Sequence, residues 1–294
     1  MSSCPIRRLE EADCDLGDIK ARIVLKLIES DRKLTQCQME NILHKELRID
    51  GARTRQAVSL LIAEGAIQYT YRYGASFLEP STGQAVRVSR SIVLKPPQMP
   101  FNPGPEDVVI SIAPGAAFGL GDHPSTRLAL RGIEEAIRTH RWVRHGNGAR
   151  ILDIGTGTGV LLIAAVMLGV ERGVGIDLDP CARKEARENA AINGLEKRID
   201  VSEIALDQLT GRFVAVTANL RYPTIIRLYP RVQEMIEPGG VIVMSGIRSW
   251  EIPEVVERYA SGPFILRWEA DEADWRGLVF QKTDASGAPG QFLE

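Results

Sequence analysis

The stretch Arg150-Ile-Leu-Asp-Ile-Gly-Thr-Gly-Thr-Gly-Val-Leu-Leu-Ile-Ala-Ala-Val-Met-Leu-Gly-Val-Glu-Arg-Gly-Val-Gly-Ile-Asp-Leu-Asp179 decides the fold. Ile151, Leu152 and Ile154 are strand formers, and Gly155-Thr156-Gly157-Thr158-Gly159 breaks the strand with three glycines whose bare backbone permits a tight turn and the close approach of a ligand. Residues 160–168 follow as a nearly all-apolar helix. Gly173, Val174, Gly175 and Ile176 then form a second strand ending at Asp177, twenty positions beyond Gly157. A carboxylate at about that distance accepts hydrogen bonds from both hydroxyls of a ribose. Strand, turn, helix and acidic strand end together predict a cradle for a nucleotide cofactor.

One position selects the cofactor. A dinucleotide fingerprint, G-x-G-x-x-G, needs a glycine three beyond Gly157, where this chain has Val160; its last glycine comes one place early, at Gly159. The pattern disfavours a pyrophosphate. A G-x-G-x-G turn preceded by Asp153, with a carboxylate after the next strand, resembles the S-adenosylmethionine site of class I methyltransferases, whose ligand carries no phosphate. A glycine-rich turn without any ligand is the alternative, and it would leave the spacing to Asp177 and the helix start at Asp179-Pro180 as coincidences.

With 294 residues, 44% of them apolar, the chain has room for two domains with real cores, and its net charge of -2 is unevenly spread. Residues 18–99 hold 13 Lys and Arg against 8 Asp and Glu, so the front is mildly basic and the remainder acidic. The four cysteines, Cys4, Cys14, Cys37 and Cys181, show no C-x-x-C spacing, and no apolar run reaches the roughly twenty residues of a membrane span. No charged-apolar-small signal segment opens the sequence. The expectation is a cytoplasmic protein with reduced thiols, no membrane contact and no metal site.

The front reads as a compact helical unit with a hairpin. Ile19, Ile23, Val24, Leu27 and Ile28 make one helix face; Thr35 and Gln38 form a capping box for a second helix, whose face is Met39, Ile42, Leu43 and Leu47. A third helix is predicted over 51–64, capped at Gly65, followed by a hairpin over 67–78 and an extended run over 86–94. Three helices and a β-ribbon spell a winged-helix domain over 18–95, behind a flexible segment 1–17. When such a unit binds DNA, its third helix enters the major groove, and Arg53, Arg55, Arg72, Arg87 and Arg90 would meet phosphates. The surplus of positive charge is modest for that task. Winged-helix units also precede small-molecule methyltransferases, where they pair subunits and cover the substrate, so protein contact or a homodimer is favoured over DNA. Tyr69, Tyr71 and Tyr73 alternate on one strand face and suit packing or an interface. The Pro-rich residues 96–105 are expected to be a linker, 106–283 the catalytic domain and 284–294 a frayed tail.

Beyond Asp177, a helix from Asp179-Pro180 to Asn193-Gly194 and short apolar strands over 199–204, 213–217 and 241–245 continue the β-α alternation. Residues 264–268 and 275–281 would close the sheet as an antiparallel pair. The fold class is therefore α/β: a Rossmann-like, seven-stranded doubly wound sheet with its ligand at the carboxyl ends of the strands.

A longer signature narrows the family. Ala113-Pro-Gly-Ala-Ala-Phe-Gly-Leu-Gly-Asp-His-Pro-Ser-Thr-Arg127 resembles the P-G-x-A-F-G-T-G-x-H-P-T-T string of PrmA, the methyltransferase of a large-subunit ribosomal protein. With Leu152 to Gly159, Gly175-Ile-Asp-Leu-Asp-Pro180, Glu185-Ala-Arg-Glu-Asn189, Ala218-Asn219 and Pro238 to Gly246, the resemblance runs over roughly residues 108–282. It implies that Phe118, Gly119 and Thr126 help enclose S-adenosylmethionine. It likewise implies that Asp153, Gly155, Thr156, Gly157, Gly159, Asp177, Leu178 and Asn219 hold it, with S-adenosylhomocysteine as product.

Asn219 ends the fourth strand, where its carboxamide oxygen can accept a hydrogen bond from an incoming amine and aim the lone pair at the methyl carbon. Asn219-Leu-Arg-Tyr222 faintly echoes the N-P-P-Y string of amino-group methylases, with Tyr222 as a stacking wall; equally, Tyr222-Pro223 starts a helix. His123 reads either as a group touching cofactor or substrate or as a helix cap, and Arg221 as a surface charge or a holder of an acidic substrate. The ribosomal enzyme recognises its target with a ferredoxin-like front domain, which the pattern here does not match. The expected function is N-methylation of a protein or peptide amine with a different substrate. The alternatives are a small-molecule methyltransferase, and a DNA-binding sensor of the cofactor or a nucleic-acid methyltransferase.

Overall fold

The computed structural model describes residues 15–30, 33–72, 75–80, 85–113, 115, 117–121, 123–139, 143 and 148–283. The chain divides into two compact units between Gln84 and Ala85. In the first, α1 (Leu16–Glu29), α2 (Gln36–Leu47) and α3 (Gly51–Ala63) precede an antiparallel hairpin of β1 (Ile67–Arg72) and β2 (Ala75–Pro80). Both of the first helices open on capping boxes, from Asp15 with Asp18 and from Thr35 with Gln38, so each satisfies end amides from its own sequence. Ile19, Ile23, Met39, Leu43, Val58, Leu61 and Leu78 form the core, and the Leu78 amide donates to the Leu34 carbonyl at 2.8 Å. Helix order and hairpin match the sequence expectation. Tyr69 is half exposed and donates to Gln36, whereas the side chain of Tyr71 and all of Tyr73 lie outside the described residues, as do 1–14 and the tail 284–294.

The second unit begins at Ala85, twenty-one residues before the start at 106 that the sequence suggested. β3 (Val86–Arg87) pairs with β4 (Ile92–Lys95), and β4 runs parallel to β5 (Val108–Ser111), with Ile92 opposite Val108. Val88, Ile92 and Leu94 are buried with Ile110 and Ile112 in the core of this unit, so residues 85–95 are no part of a winged helix. Nor are residues 96–105 an interdomain linker: parallel neighbours need a connection of about a dozen residues, and this Pro-rich stretch supplies it. It is pinned at both ends, by Lys95 Nζ on the Pro96 and Pro97 carbonyls at 3.1 Å and by the Gly104 amide on Asp107 at 2.9 Å. Asp107 in turn takes both Arg87 nitrogens, at 2.7 and 2.8 Å.

The main sheet of the unit has the strand order β11-β12-β10-β9-β6-β7-β8. β6 (Arg150–Ile154), β7 (Arg172–Ile176), β8 (Ile199–Ser202), β9 (Phe213–Asn219) and β10 (Ile236–Arg248) are parallel; β11 (Phe264–Glu272) and β12 (Trp275–Lys282) close it antiparallel. Helices α4 (Pro124–Glu134), α5 (Val160–Met167) and α6 (Pro180–Ile192) contribute to the core on one side, and α7 (Tyr222–Met235) and α8 (Ile252–Ala260) to the core on the other. Every residue from Val160 to Val166 is buried, which is why α5 is apolar all round. The strand order reverses between β6 and β9, which puts the crevice of an open α/β sheet at their carboxyl ends.

Removing residues 1–84 is expected to leave a cooperative fold. Removing residues 1–95 additionally strips Val88, Ile92 and Leu94 from the core, at about 1.5–3 kcal/mol for each large apolar side chain. Denaturant melts of the two truncations would check this. Equal stability would contradict the division at Gln84.

Candidate active site

The glycine turn sits at the switch point, directly after β6, and its five amides are all engaged within the protein. The Gly155 and Thr156 N–H groups donate to the Ile176 carbonyl, Gly157 N–H to Asp177 Oδ2 at 2.9 Å, Thr158 N–H to the Phe118 carbonyl at 3.0 Å, and Gly159 N–H to the Thr156 carbonyl. A phosphate-binding turn works by presenting such amides to the ligand. This one has none to present. Gly157 has φ of 54°, and a Cβ there would strike the Phe118 carbonyl oxygen, so glycine is required for both conformation and contact.

Asp177, half buried at the end of β7, accepts the Asp179 amide on Oδ1 at 3.0 Å as well as Gly157 on Oδ2. Each oxygen keeps a second lone pair for a ligand hydroxyl. Leu178, immediately after it, is 88% exposed.

Asp153, before the turn, and the side chain of Thr156, within it, are both buried. Asp153 is 1% exposed, and its two oxygens accept from the Thr156 hydroxyl at 2.7 Å and the Thr217 hydroxyl at 2.6 Å. These bonds tie the turn to β6 and β9. Thr217 stands opposite Asp153 in the β6–β9 register, a partnership that sequence reading missed because the two are 64 residues apart. Burial pushes the Asp153 carboxyl up to about 6 from its ordinary 3.8, against the pull of the two hydroxyls and helped by the nearby Asp177 charge. The folded state thus binds this proton more tightly than the unfolded chain. The associated stability is fully present below about pH 4 and is lost as pH rises through about 6, a swing on the order of 2–3 kcal/mol. Asp153→Asn is therefore expected to flatten the pH dependence of Tm across that window relative to the wild type; parallel Tm curves would contradict it.

The segment ahead of α4 lies against the turn. Gly119 is buried and its carbonyl accepts the Thr158 hydroxyl at 3.0 Å, while the Phe118 ring stays 53% exposed. His123 caps α4: its Nδ1 accepts the Ser125 amide at 3.1 Å and faces the Ser125 hydroxyl at 2.7 Å, which assigns the ring proton to Nε2. The same ring makes edge contacts with Phe118 and Trp275, at centroid distances of 5.2 and 4.8 Å. Trp275 stacks under Arg248 at 3.8 Å, and neither residue was singled out from sequence.

Asn219 ends β9 and meets α4 at the carboxyl end of the sheet. Its Nδ2 donates to the buried Thr126 hydroxyl at 3.5 Å, which leaves Oδ1 as the acceptor on the other side of the amide. Arg221 is exposed at the N-cap of α7, with no side-chain capping bond. Tyr222 opens α7 half buried and packs against the core on the α7–α8 side. The geometry thus gathers Gly155, Gly157, Gly159, Asp177, Phe118, Gly119, Thr126 and Asn219 about the carboxyl ends of β6, β7 and β9, with the buried Asp153–Thr156 pair bracing the turn.

Fold and site together define a Rossmann-like class I methyltransferase domain. The model of the ribosomal protein L11 methyltransferase (PrmA) family matches residues 81–283, and the chain belongs to that family. The ribosomal protein L11 methyltransferase of Geobacter metallireducens is 37% identical over 195 residues, 66% of this chain and 62% of that protein; that of Gloeobacter violaceus is 36% identical over 192 residues, 65% and 58%. The match thus spans about three fifths of the length of these relatives. A solved ribosomal protein L11 methylase from Lactobacillus delbrueckii subsp. bulgaricus shares the fold at a TM-score of 0.60 and 27% identity, over 68% of this chain and 98% of that one. Residues 1–80 lie outside the family match.

Proposed function

We propose that the chain is an S-adenosylmethionine-dependent methyltransferase acting on an amine of a protein or peptide. The observation that carries the cofactor is the saturated glycine turn. With all five amides consumed internally, the crevice offers a ligand the Asp177 carboxylate rather than a phosphate cradle, as suits a nucleoside attached to an amino acid. Asp177 would hold the ribose hydroxyls, and Phe118, Gly119 and Thr126 would enclose the remainder. When bound, the cofactor supplies an electrophilic methyl group on a sulfonium.

The chain's own part is positioning. Asn219 Oδ1 accepts an N–H of the incoming amine and so fixes its lone pair, while Thr126 fixes Asn219. The amine's proton leaves to water. The amine acceptor is supported by the family, whose named members methylate a ribosomal protein.

Acceptor choice belongs, in this reading, to the winged-helix-like unit of residues 15–80, which has no counterpart in the family match and serves protein contact or subunit pairing. Against DNA, Arg55 is engaged by Glu40 at 2.8 Å, and Arg87 and Arg90 belong to the other unit, which breaks up the basic set that would have met phosphates. Incubating the enzyme with labelled cofactor and cell extract tests the acceptor. Label on a protein band is the expected result. Label confined to small metabolites or to nucleic acid would overturn the protein acceptor.

A further inference from the structure

Helix α6 carries Glu185 and Asn189, and Asn193 is its C-cap; the four-residue spacing puts the three in one row. Each side chain is bonded to the backbone of the segment that precedes α4. Asn193 Oδ1 accepts the Ser111 amide at 2.9 Å and its Nδ2 donates to the Ser111 carbonyl at 2.8 Å; Asn189 Oδ1 accepts the Ala113 amide at 2.9 Å; Glu185 Oε2 accepts the Ala117 amide at 3.0 Å. A Cβ on Gly115 would run into the Glu185 carboxylate, so Gly115 lies close against the row.

Asn189 differs from its two neighbours. It is 1% exposed, and its Nδ2 donates to the Thr158 carbonyl, within the glycine turn, at 2.9 Å. Thr158 also gives its N–H to Phe118 and its hydroxyl to Gly119. A closed circuit results: Asn189 to Ala113, along the strap to Phe118 and Gly119, across to Thr158, and back to Asn189. We infer that Asn189 is a positioning residue that locks Ala113, and with it Phe118 and Gly119, onto the glycine turn, and so sets how long the cofactor is retained. The inference rests on the reading that S-adenosylmethionine lies against this turn. A ligand enclosed by Phe118 and Gly119 leaves when they part from Thr158, and Asn189 holds both sides of that contact, Ala113 on the one and Thr158 on the other.

The test measures the dissociation rate of S-adenosylhomocysteine by stopped flow, with hydrogen exchange of the Ala113, Ala117 and Thr158 amides, in the full chain. Asn189→Ala loses both bonds. Asn189→Asp keeps an acceptor for Ala113 but sets a carboxylate against the Thr158 carbonyl. Both variants are expected to release the product about tenfold faster, the worth of one buried hydrogen bond. Exchange at Ala113 should quicken in Asn189→Ala while that of β8 amides stays unchanged, a selectivity that general destabilisation would not give. Should the buried substitutions prevent folding, Glu185→Ala removes the acceptor of the Ala117 amide from a part-exposed position and is expected to speed release in the same direction. Wild-type release rates in all folded variants would overturn the lock alone. Failure of the wild type to bind S-adenosylhomocysteine would overturn the cofactor reading, and retention with it.

Discussion

Asp177→Ala is expected to weaken S-adenosylhomocysteine binding by about 100-fold, because each hydrogen bond to a charged group contributes about 1.5–3 kcal/mol and every 1.4 kcal/mol is tenfold in affinity. The loss has two sources. The ribose would lose its acceptor, and the Gly157 amide would lose the Oδ2 partner that it meets at 2.9 Å. The Asp177→Asn variant separates them, since it keeps one carbonyl oxygen without the charge and should fall between Ala and the wild type. Isothermal titration of the three proteins measures the effect. An unchanged affinity in Asp177→Ala would remove this carboxylate from the site.

Asn219→Ala is expected to lower kcat by about 100-fold or more while moving cofactor affinity only a few-fold, because a misplaced amine of even 1 Å costs about two orders of magnitude. In the proposed reading Oδ1 accepts the amine's N–H, while Nδ2 tethers the side chain to Thr126 at 3.5 Å. Thr126→Val, which deletes the tether and keeps the volume, should lower kcat less and in the same direction. Single-turnover rates with saturating cofactor read the chemical step directly. A full rate in Asn219→Ala would shift the positioning role to another group on this edge.

The second unit was legible in the sequence because its signals are local. The glycine turn, the carboxylate twenty residues on, the Asp179-Pro180 helix start and the alternating strands each depend on neighbours in sequence, and each stands where the sequence put it. His123 as a helix cap was readable for the same reason. The unit boundary was not. Residues 86–94 read as extended wherever they pair, and only the parallel partnership of Ile92 with Val108 assigns them to the second unit. Prolines before Gly104 look like a linker until the Arg87–Asp107 pair and the Lys95 bonds show the stretch tied down. The hidden half of the site has the same character. Thr217 under Asp153, Phe118 on Thr158 and Asn189 on Ala113 join residues 64, 40 and 76 positions apart, and no periodicity marks a side chain whose partner is that distant.

The most direct test of the account is a calorimetric comparison of two ligands on the full chain, S-adenosylhomocysteine and NAD. The saturated glycine turn leaves no amides for a pyrophosphate, so S-adenosylhomocysteine should bind and NAD should give no heat beyond dilution. Binding of NAD with no response to S-adenosylhomocysteine would contradict the cofactor assignment and, with it, methyl transfer as the function.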